Sequence, residues 1–249
     1  MNNYIYHYTT IETLELIFSN KTLRLNHLSN VDDMEEGQVN SFGDMSKYVF
    51  VSSWTKDHLE NIPLWKMYTP NMSGIRIKIN SSKIVLSKNK DNSVTNIDSD
   101  EQILAFQNNN FLENVEYLDN PKVDLFDDEG SITRKVIAEL GKRKHKAWEF
   151  QNEVRFILMG LPINAIDCFG GILKTETAFY ECIIQKFNSN ISFIDLKINN
   201  DIWDDSEILL GPNTNFEDET KVNSLISNFY PKSNINVTKS SLKIRTKNM

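Results

Sequence analysis

Three short polar clusters interrupt apolar stretches of the sequence, and their side chains are of kinds that can do chemistry. They are Tyr6-His7-Tyr8-Thr9, Ser52-Ser53-Trp54-Thr55 and residues 148–155. Polar groups embedded in apolar strands are costly to bury, so they are seldom kept without a structural or functional use. An imidazole, a pair of hydroxyls and a carboxylate together could bind a polar ligand and stabilise a positive charge that develops on it.

Each cluster taken alone has a simpler structural interpretation. His7 could satisfy a neighbouring carbonyl at a strand end, and the hydroxyls of Ser52 and Ser53 could satisfy a turn. Glu153 and Arg155 could form an ordinary exposed ion pair, which contributes roughly 0–1 kcal/mol. Only the occurrence of all three clusters in one chain favours a functional site.

The elements that must position these clusters follow from the hydrophobic periodicity. Strand patterns are predicted at residues 4–8, 48–54, 74–79, 150–159 and 207–210. Helices are predicted after a cap at Thr9 and at residues 59–68, 101–111, 132–145 and 218–229. On the fourth of these strands Gln151, Glu153 and Arg155 are two residues apart and share one face, and on the third Arg76 is expected to point outward.

Strands in irregular spacing with short helices predict an α+β fold with mixed, mainly antiparallel sheets, and not a doubly wound nucleotide-binding fold. The sequence contains neither GxGxxG nor GxxxxGK[ST], which argues against kinase, P-loop and classical dehydrogenase chemistry. A length of 249 residues fits a single elaborated domain over residues 1–249. A mobile insertion is expected near residues 88–130.

Composition argues against several other classes. The net charge of −7 does not suit a generic nucleic-acid coat. Cys168, Cys182 and four scattered histidines lack metal-ligand spacing, so no metal is expected. The sequence has no apolar run of the ~18 residues that a membrane span needs and no signal-peptide pattern at residues 1–8. A cytoplasmic protein without a membrane partner is therefore expected.

A polar segment at residues 26–37 leaves one metal-dependent alternative open. Its acids Asp32, Asp33, Glu35 and Glu36 could hold a divalent metal in a nuclease. Their turn-like context favours the more ordinary interpretation of a solvated surface loop. Metal dependence of any activity would separate the nuclease from the other hypotheses.

Six short motifs resemble those of a bacterial family, domain-of-unknown-function family 2971. They are the YHYT start, the acidic residues 30–37, the strand at 50–53, W-x-x-Y at 65–68, W-x-x-[EQ]-x-E-x-R at 148–155 and the late G-P turn at 208–212. Together they extend along nearly the whole chain. The chain departs from the family pattern at Thr10, where Ser is usual, at residues 31–33, and at Gln151, where the family has a first Glu.

The order of the polar clusters is also similar to that of ADP-ribosyltransferase-fold proteins. These carry a His or Arg on the first strand, a Ser-Thr-Ser or Tyr element on the next, and Glu-x-Glu or Gln-x-Glu on a later strand. The resemblance implies a split sheet, NAD as substrate, Glu153 as the carboxylate that stabilises the ribosyl oxocarbenium ion, and Gln151 as the residue that positions the acceptor. It assigns NAD binding to His7, Tyr8, Thr9, Ser52, Ser53, Trp54 and Arg155.

Two hypotheses of different classes follow. The first is an NAD-consuming ADP-ribosyltransferase or NAD glycohydrolase that acts on a protein or nucleic acid, with the toxin or antiphage role that similar bacterial proteins suggest. The second is a non-catalytic sensor that binds a nucleotide or a protein in the same cleft. In both, the basic residues 142–146, expected at the end of a helix, would attract a phosphate-bearing ligand.

Overall fold

The computed structural model describes residues 3–40, 43–90, 92–99, 103–107, 110–124, 139–162, 182 and 184–244. The chain divides into two compact units, and each is assembled from separated stretches of sequence. Unit 1 comprises the described residues of 1–22, 54–85 and 198–249, and unit 2 those of 23–53 and 86–197. The single domain expected from chain length stays a prediction.

The described residues include short strands, short 3-10 helices and three α-helices whose bounds are described. The helices are α1 (Ile11–Asn20), α2 (Ile62–Tyr68) and α3 (Phe216–Phe229). The strands are β1 (Tyr4–Thr9), β2 (Thr22–His27), β3 (Gln38–Val39), β4 (Gly43–Asp44), β5 (Val49–Thr55), β6 (Ile75–Asn80), β7 (Ile97–Asp98), β8 (Ile103–Phe106), β9 (Leu112–Asn114), β10 (Glu116–Leu118), β11 (Arg143–His145), β12 (Glu153–Pro162), β13 (Phe193–Lys197), β14 (Glu207–Leu210) and β15 (Asn236–Lys239). The predicted α+β class, with mixed and mostly antiparallel sheet, is confirmed.

Unit 1 is built on a sheet with the strand order β15-β14-β6-β1, antiparallel except for the parallel pair β14 and β15. Helix α1 starts after Thr10, whose hydroxyl accepts a hydrogen bond from the backbone N–H of Thr13. The cap is therefore Thr10 and not Thr9, because Thr9 still belongs to strand β1. The predicted apolar face of the helix is confirmed, with buried Ile11, Leu14, Ile17 and Phe18.

The late G-P turn of unit 1 packs backbone against backbone. The N–H of Gly211 donates to the carbonyl of Gly74 at 2.9 Å. A Cβ atom added at Gly74 would lie 2.4 Å from the carbonyl oxygen of Thr9, and one added at Gly211 would lie 2.4 Å from that of Met72. Because no side chain fits at these distances, both positions require glycine.

Unit 2 is built around β12, which pairs with β5, β8 and β9, and β5 continues through β2 and β13 to β7. Residues 153–161 of β12 are all buried, so both of its faces are covered. Apolar side chains of β5 and β12 form the centre of the core, among them Val49, Val51, Ile157 and Met159. A polar strand face here is thus an interior face.

Two predicted helices of unit 2 are wrong where the structure describes them. Residues 103–106 form β8, which pairs with the end of β12, and residues 143–145 form β11, which pairs with β10 in parallel. A short apolar run such as Ile-Leu-Ala-Phe suits either element, and here strand pairing decides. Residues 132–138 lie outside the described part of the chain. The expected insertion at 88–130 contains strands β7 to β10.

Candidate functional site

Four charged side chains meet in the interior of unit 2. Glu36 comes from the acidic loop, Lys144 from β11, and Glu153 and Arg155 from the start of β12. Their side chains are 0%, 3%, 5% and 0% exposed in that order. We call these four residues the inner ionic cluster. Two carboxylates and two cations give it no net charge, which is what allows such groups to be buried.

Arg155 has a partner for each of its five guanidinium N–H groups. Its Nε donates to Glu153 Oε1 at 2.6 Å, and its Nη2 donates to Glu153 Oε2 at 3.1 Å and Glu36 Oε1 at 3.0 Å. Its Nη1 donates to the other oxygen of Glu36 and to the carbonyl of Gly141 at 2.9 Å. The planar fork is therefore held in one orientation by two carboxylates.

Lys144 is the second cation of the inner ionic cluster. Its Nζ donates to Glu153 Oε2 at 3.1 Å and to Gln151 Oε1 at 2.8 Å, and lies 3.4 Å from Glu36 Oε1. The same Nζ lies 4.9 Å from the ring centroid of Trp148. The ammonium therefore joins both carboxylates and the Gln151 amide in one network.

Local backbone features bring the cluster together. A 3-10 turn over Lys146–Gln151 ends at Asn152, which takes φ 42°, a left-handed conformation that Asn adopts more readily than most residues. Strand β12 begins at the next residue, and the N–H of Glu153 donates to Tyr117 Oη at 2.8 Å. In the acidic loop, Asp33 accepts from the N–H of His145 at 3.1 Å, which holds the loop beside β11.

The protonation states follow from this enclosure. Burial alone would raise the pKa of Glu153, but the charges of Arg155 and Lys144, with hydrogen bonds from Arg155 and Ser53, hold that pKa at about 2. Burial opposes the charge of Arg155, yet Glu153 and Glu36 together raise its pKa. Burial raises the pKa of Tyr117 to about 12. Glu153 is therefore ionised at neutral pH and Tyr117 keeps its proton.

Several predicted site residues do come together in unit 2. Ser53 hydrogen-bonds Glu153, and Gln151 binds the lysine that also binds Glu153. The prediction that Gln151 shares a strand face with Glu153 and Arg155 is wrong, because the left-handed residue Asn152 separates Gln151 from β12. The prediction that Glu153 and Arg155 form an exposed ion pair is also wrong, since both residues are buried. Ser52 lies on the same strand as Ser53 and is buried.

Glu36 was named only as a possible metal ligand, and the sequence did not reveal its role as a buried counter-charge of Arg155. The predicted solvated loop at residues 26–37 is wrong at Leu28, Asp33 and Glu36, which are buried. An arginine on an otherwise apolar strand requires a counter-charge, and that requirement was the available signal. No group of three or more His, Cys, Asp or Glu side chains in the described residues could hold a metal ion.

The remaining predicted site residues belong to unit 1. The rings of His7 and Trp54 have centroids 5.0 Å apart, so these two residues come together. Tyr8 points to the other face of β1 and packs edge-on against Trp65 at 4.8 Å, and Thr9 is buried at the strand end. His7 and Glu153 lie in different units, and their shared cleft stays a prediction.

The basic residues 142–146 are largely matched by acids. Lys142 Nζ lies 3.4 Å from Glu113 and 3.6 Å from Glu139. Arg143 lies 3.6 Å from Glu139 and 3.8 Å from Glu116. With Lys144 inside the inner ionic cluster, much of the positive charge expected to attract a phosphate is already balanced.

A family model described as "Protein of unknown function (DUF2971)" matches residues 64–156. This region includes the W-x-x-Y motif of α2 and the W-x-x-[EQ]-x-E-x-R motif, and the match confirms the family resemblance. No curated protein and no solved structure matches the chain. None of the helices in the described residues has the length and apolar character needed to cross a membrane.

Proposed function

We propose that the chain is a non-catalytic sensor module that binds a nucleotide-like small molecule, and that its inner ionic cluster is part of the scaffold. One observation carries this proposal. Both carboxylate oxygens of Glu153 are bound by cations in the interior of unit 2. Of the two hypotheses, the one that requires no reacting carboxylate at this position is favoured.

The physical argument concerns charge. An oxocarbenium ion is stabilised by a carboxylate whose negative charge faces the reacting carbon. Glu153 Oε1 lies 2.6 Å from Arg155 Nε, and Oε2 lies 3.1 Å from both Arg155 Nη2 and Lys144 Nζ. Arg155 and Lys144 share their two positive charges between Glu153 and Glu36, which balances the Glu153 carboxylate, and the Glu153 side chain is 5% exposed. Little charge remains to act on a substrate.

A second candidate is the NAD-consuming ADP-ribosyltransferase or glycohydrolase with a split sheet. It is favoured by the network in which Ser53 hydrogen-bonds Glu153 and Lys144 joins Gln151 to Glu153. These are the residue types that the ADP-ribosyltransferase resemblance assigns to the site. A macromolecular acceptor and a toxin or antiphage role belong to this candidate alone.

Incubation of the full chain with NAD separates the two. We expect calorimetric binding of NAD or ADP-ribose without release of free nicotinamide, measured by chromatography. Gln151→Ala is the matched control, because it keeps all four charges of the inner ionic cluster. Nicotinamide release by the wild type that is lost in a folded Glu153→Gln variant would establish the NAD-consuming enzyme. If neither NAD nor ADP-ribose binds, the sensor hypothesis is refuted.

A further inference from the structure

Unit 1 contains a second buried arginine, Arg76 on β6, that was predicted to point outward. The residue is 6% exposed. Its guanidinium carbon lies 4.8 Å from the ring centroid of Tyr6 and 5.9 Å from that of Tyr8. Its Nη1 donates to the carbonyl of His58 at 3.1 Å. The Tyr8 hydroxyl also forms a hydrogen bond with Arg76. Two aromatic rings, one hydroxyl and one carbonyl carry no full negative charge, so they are weak surroundings for a buried positive charge.

The guanidinium of Arg76 is also incompletely satisfied. Its Nε is buried and has no hydrogen-bond partner. Among the described residues, no carboxylate forms an ion pair with it. Glu60, in the segment that passes beside it, uses Oε2 to accept from Trp65 Nε1 at 3.0 Å and from Ser240 Oγ at 2.6 Å, and its charge acts on neighbouring Tyr8 without forming an ion pair with Arg76. A buried N–H of a charged group without an acceptor calls for a partner from outside the chain.

Backbone strain lies beside the same arginine. Asn71 and Met72 have φ of 50° and 59°, and a left-handed Met is uncommon. Met72 packs in one apolar cluster with Tyr8, Trp65 and Leu209. Tyr8 and Leu209 are the cross-strand neighbours of Arg76 in the sheet. Strained residues concentrate at binding and catalytic sites, so the strain is an independent sign of function.

Three of the family motifs meet around this arginine. Tyr6 and Tyr8 belong to the YHYT start, Trp65 belongs to W-x-x-Y, and the G-P turn packs against the residues that precede β6. The cover is light. Residues 56–61 contain neither helix nor strand, and they contact the site through the His58 carbonyl and through the Asn61 N–H, which donates to Tyr8 Oη at 2.9 Å.

We infer that Arg76 is the recognition residue of an oxyanion site in unit 1 that takes a phosphate group of a small molecule. The free Nε edge of a guanidinium supplies in-plane donors that match phosphate oxygens, and the rings of Tyr6 and Tyr8 hold that plane. This inference deepens the proposed function, because it assigns the nucleotide-like ligand a binding site and a charged recognition residue. The choice of phosphate as the bound group rests on the proposed function.

The experiment measures thermal unfolding and calorimetric binding of the full chain with inorganic pyrophosphate and ADP-ribose, at ionic strength held constant with NaCl. At 100-fold excess over Kd, we expect a rise in Tm of about 5–10 °C for the wild type. Arg76→Gln should weaken binding at least tenfold. Arg76→Lys keeps the charge without the fork and should also weaken it, which covers the case in which the glutamine variant does not fold.

Lys78→Gln is the matched control, since Lys78 is two residues away on the same sheet face and pairs with Glu207 at 3.9 Å. The affinity of the Lys78→Gln variant for pyrophosphate and ADP-ribose should change less than threefold. Equal affinity of wild type and Arg76→Gln for ADP-ribose would overturn the inference while leaving the sensor function intact. Pyrophosphate binding that requires Arg76, without any nucleotide binding, would support the site and refute the sensor. No response to either probe would overturn both.

Discussion

Arg155 and Arg76 are both buried arginines on sheet strands, but their surroundings differ in kind. Arg155 gives all five N–H groups to two carboxylates and a carbonyl, whereas Arg76 faces two tyrosine rings and leaves its Nε unpaired. A fully matched charge belongs to the fold, because any movement would break several charge-assisted bonds. An incompletely matched charge is free to recognise something else. Burial of a charge is therefore not itself a sign of either role.

The largest effect should come from removing the matched arginine. Arg155→Met leaves the two buried carboxylates of Glu36 and Glu153 with the single charge of Lys144 between them, and such a loss costs about 3–5 kcal/mol of unfolding free energy. Urea denaturation would measure it. Lys221→Met is the control, because Lys221 pairs with Glu12 at 3.0 Å and the two side chains are 42% and 70% exposed. Its cost should be roughly 0–1 kcal/mol. Equal losses in the two variants would contradict the distinction.

The second effect concerns pH. The pKa of Glu153 is about 2 in the folded chain against 4.5 ordinarily, so the unfolded chain takes up the proton first as pH falls. The stability from this group is therefore complete above pH 4.5 and is lost between pH 4.5 and 2. It amounts to ~3 kcal/mol.

Carbon-13 NMR of the Glu153 carboxyl would measure the pKa directly. No titration of its chemical shift should occur between pH 6 and 3.5. A Glu153 midpoint near 4.5 would mean that the cations do not hold the carboxylate.

The third effect tests how the backbone near Arg76 is fixed. Gly74→Ala places a Cβ 2.4 Å from the carbonyl of Thr9 and 2.6 Å from the side chain of Thr69. The backbone must shift, at a cost of about 1–3 kcal/mol. The loss would appear in urea denaturation. Ser73→Ala, at a half-buried neighbouring position, loses a hydrogen bond to the Pro70 carbonyl and should cost less. A Gly74→Ala variant as stable as the wild type would show that the turn can move freely.

The smallest effect is expected at the unmatched arginine. Arg76→Met loses the His58 hydrogen bond and the contacts with Tyr6 and Tyr8, but removes a buried donor without a partner. These changes oppose each other, so the unfolding free energy without ligand should change by less than ~1 kcal/mol. Comparison of its urea curve with that of Arg155→Met is the direct measurement. A loss as large as that of Arg155→Met would assign Arg76 to the scaffold.

The sequence predicted those features that depend on local periodicity. Strands β1, β5 and β6 and the buried face of α1 follow from alternation and from helical spacing. Even the face of Arg76 was predicted, since it does lie opposite the apolar face of β6. The cover over that face was not, because no local pattern says that residues 56–61 pass beside it.

The features that failed depend on contacts between distant residues. Glu36 lies 119 positions from Arg155, and its neighbours Asp32 and Glu35 give it the look of a solvated loop. Gln151 lies outside strand β12 because a single residue, Asn152, adopts a left-handed conformation. Neither the partner of a charge nor a one-residue change of backbone region is encoded in periodicity.

The interleaving of the two units also affects the order in which they can form during synthesis. All of unit 2 lies before residue 198, whereas the sheet of unit 1 needs β14 and β15, which the ribosome makes last. At 5–20 residues per second, residues 198–239 take roughly 2–8 s to appear. During that interval β1 has its partner β6, but β6 has one edge unpaired. During that interval the outer edge of β6 is open to chaperones and to aggregation.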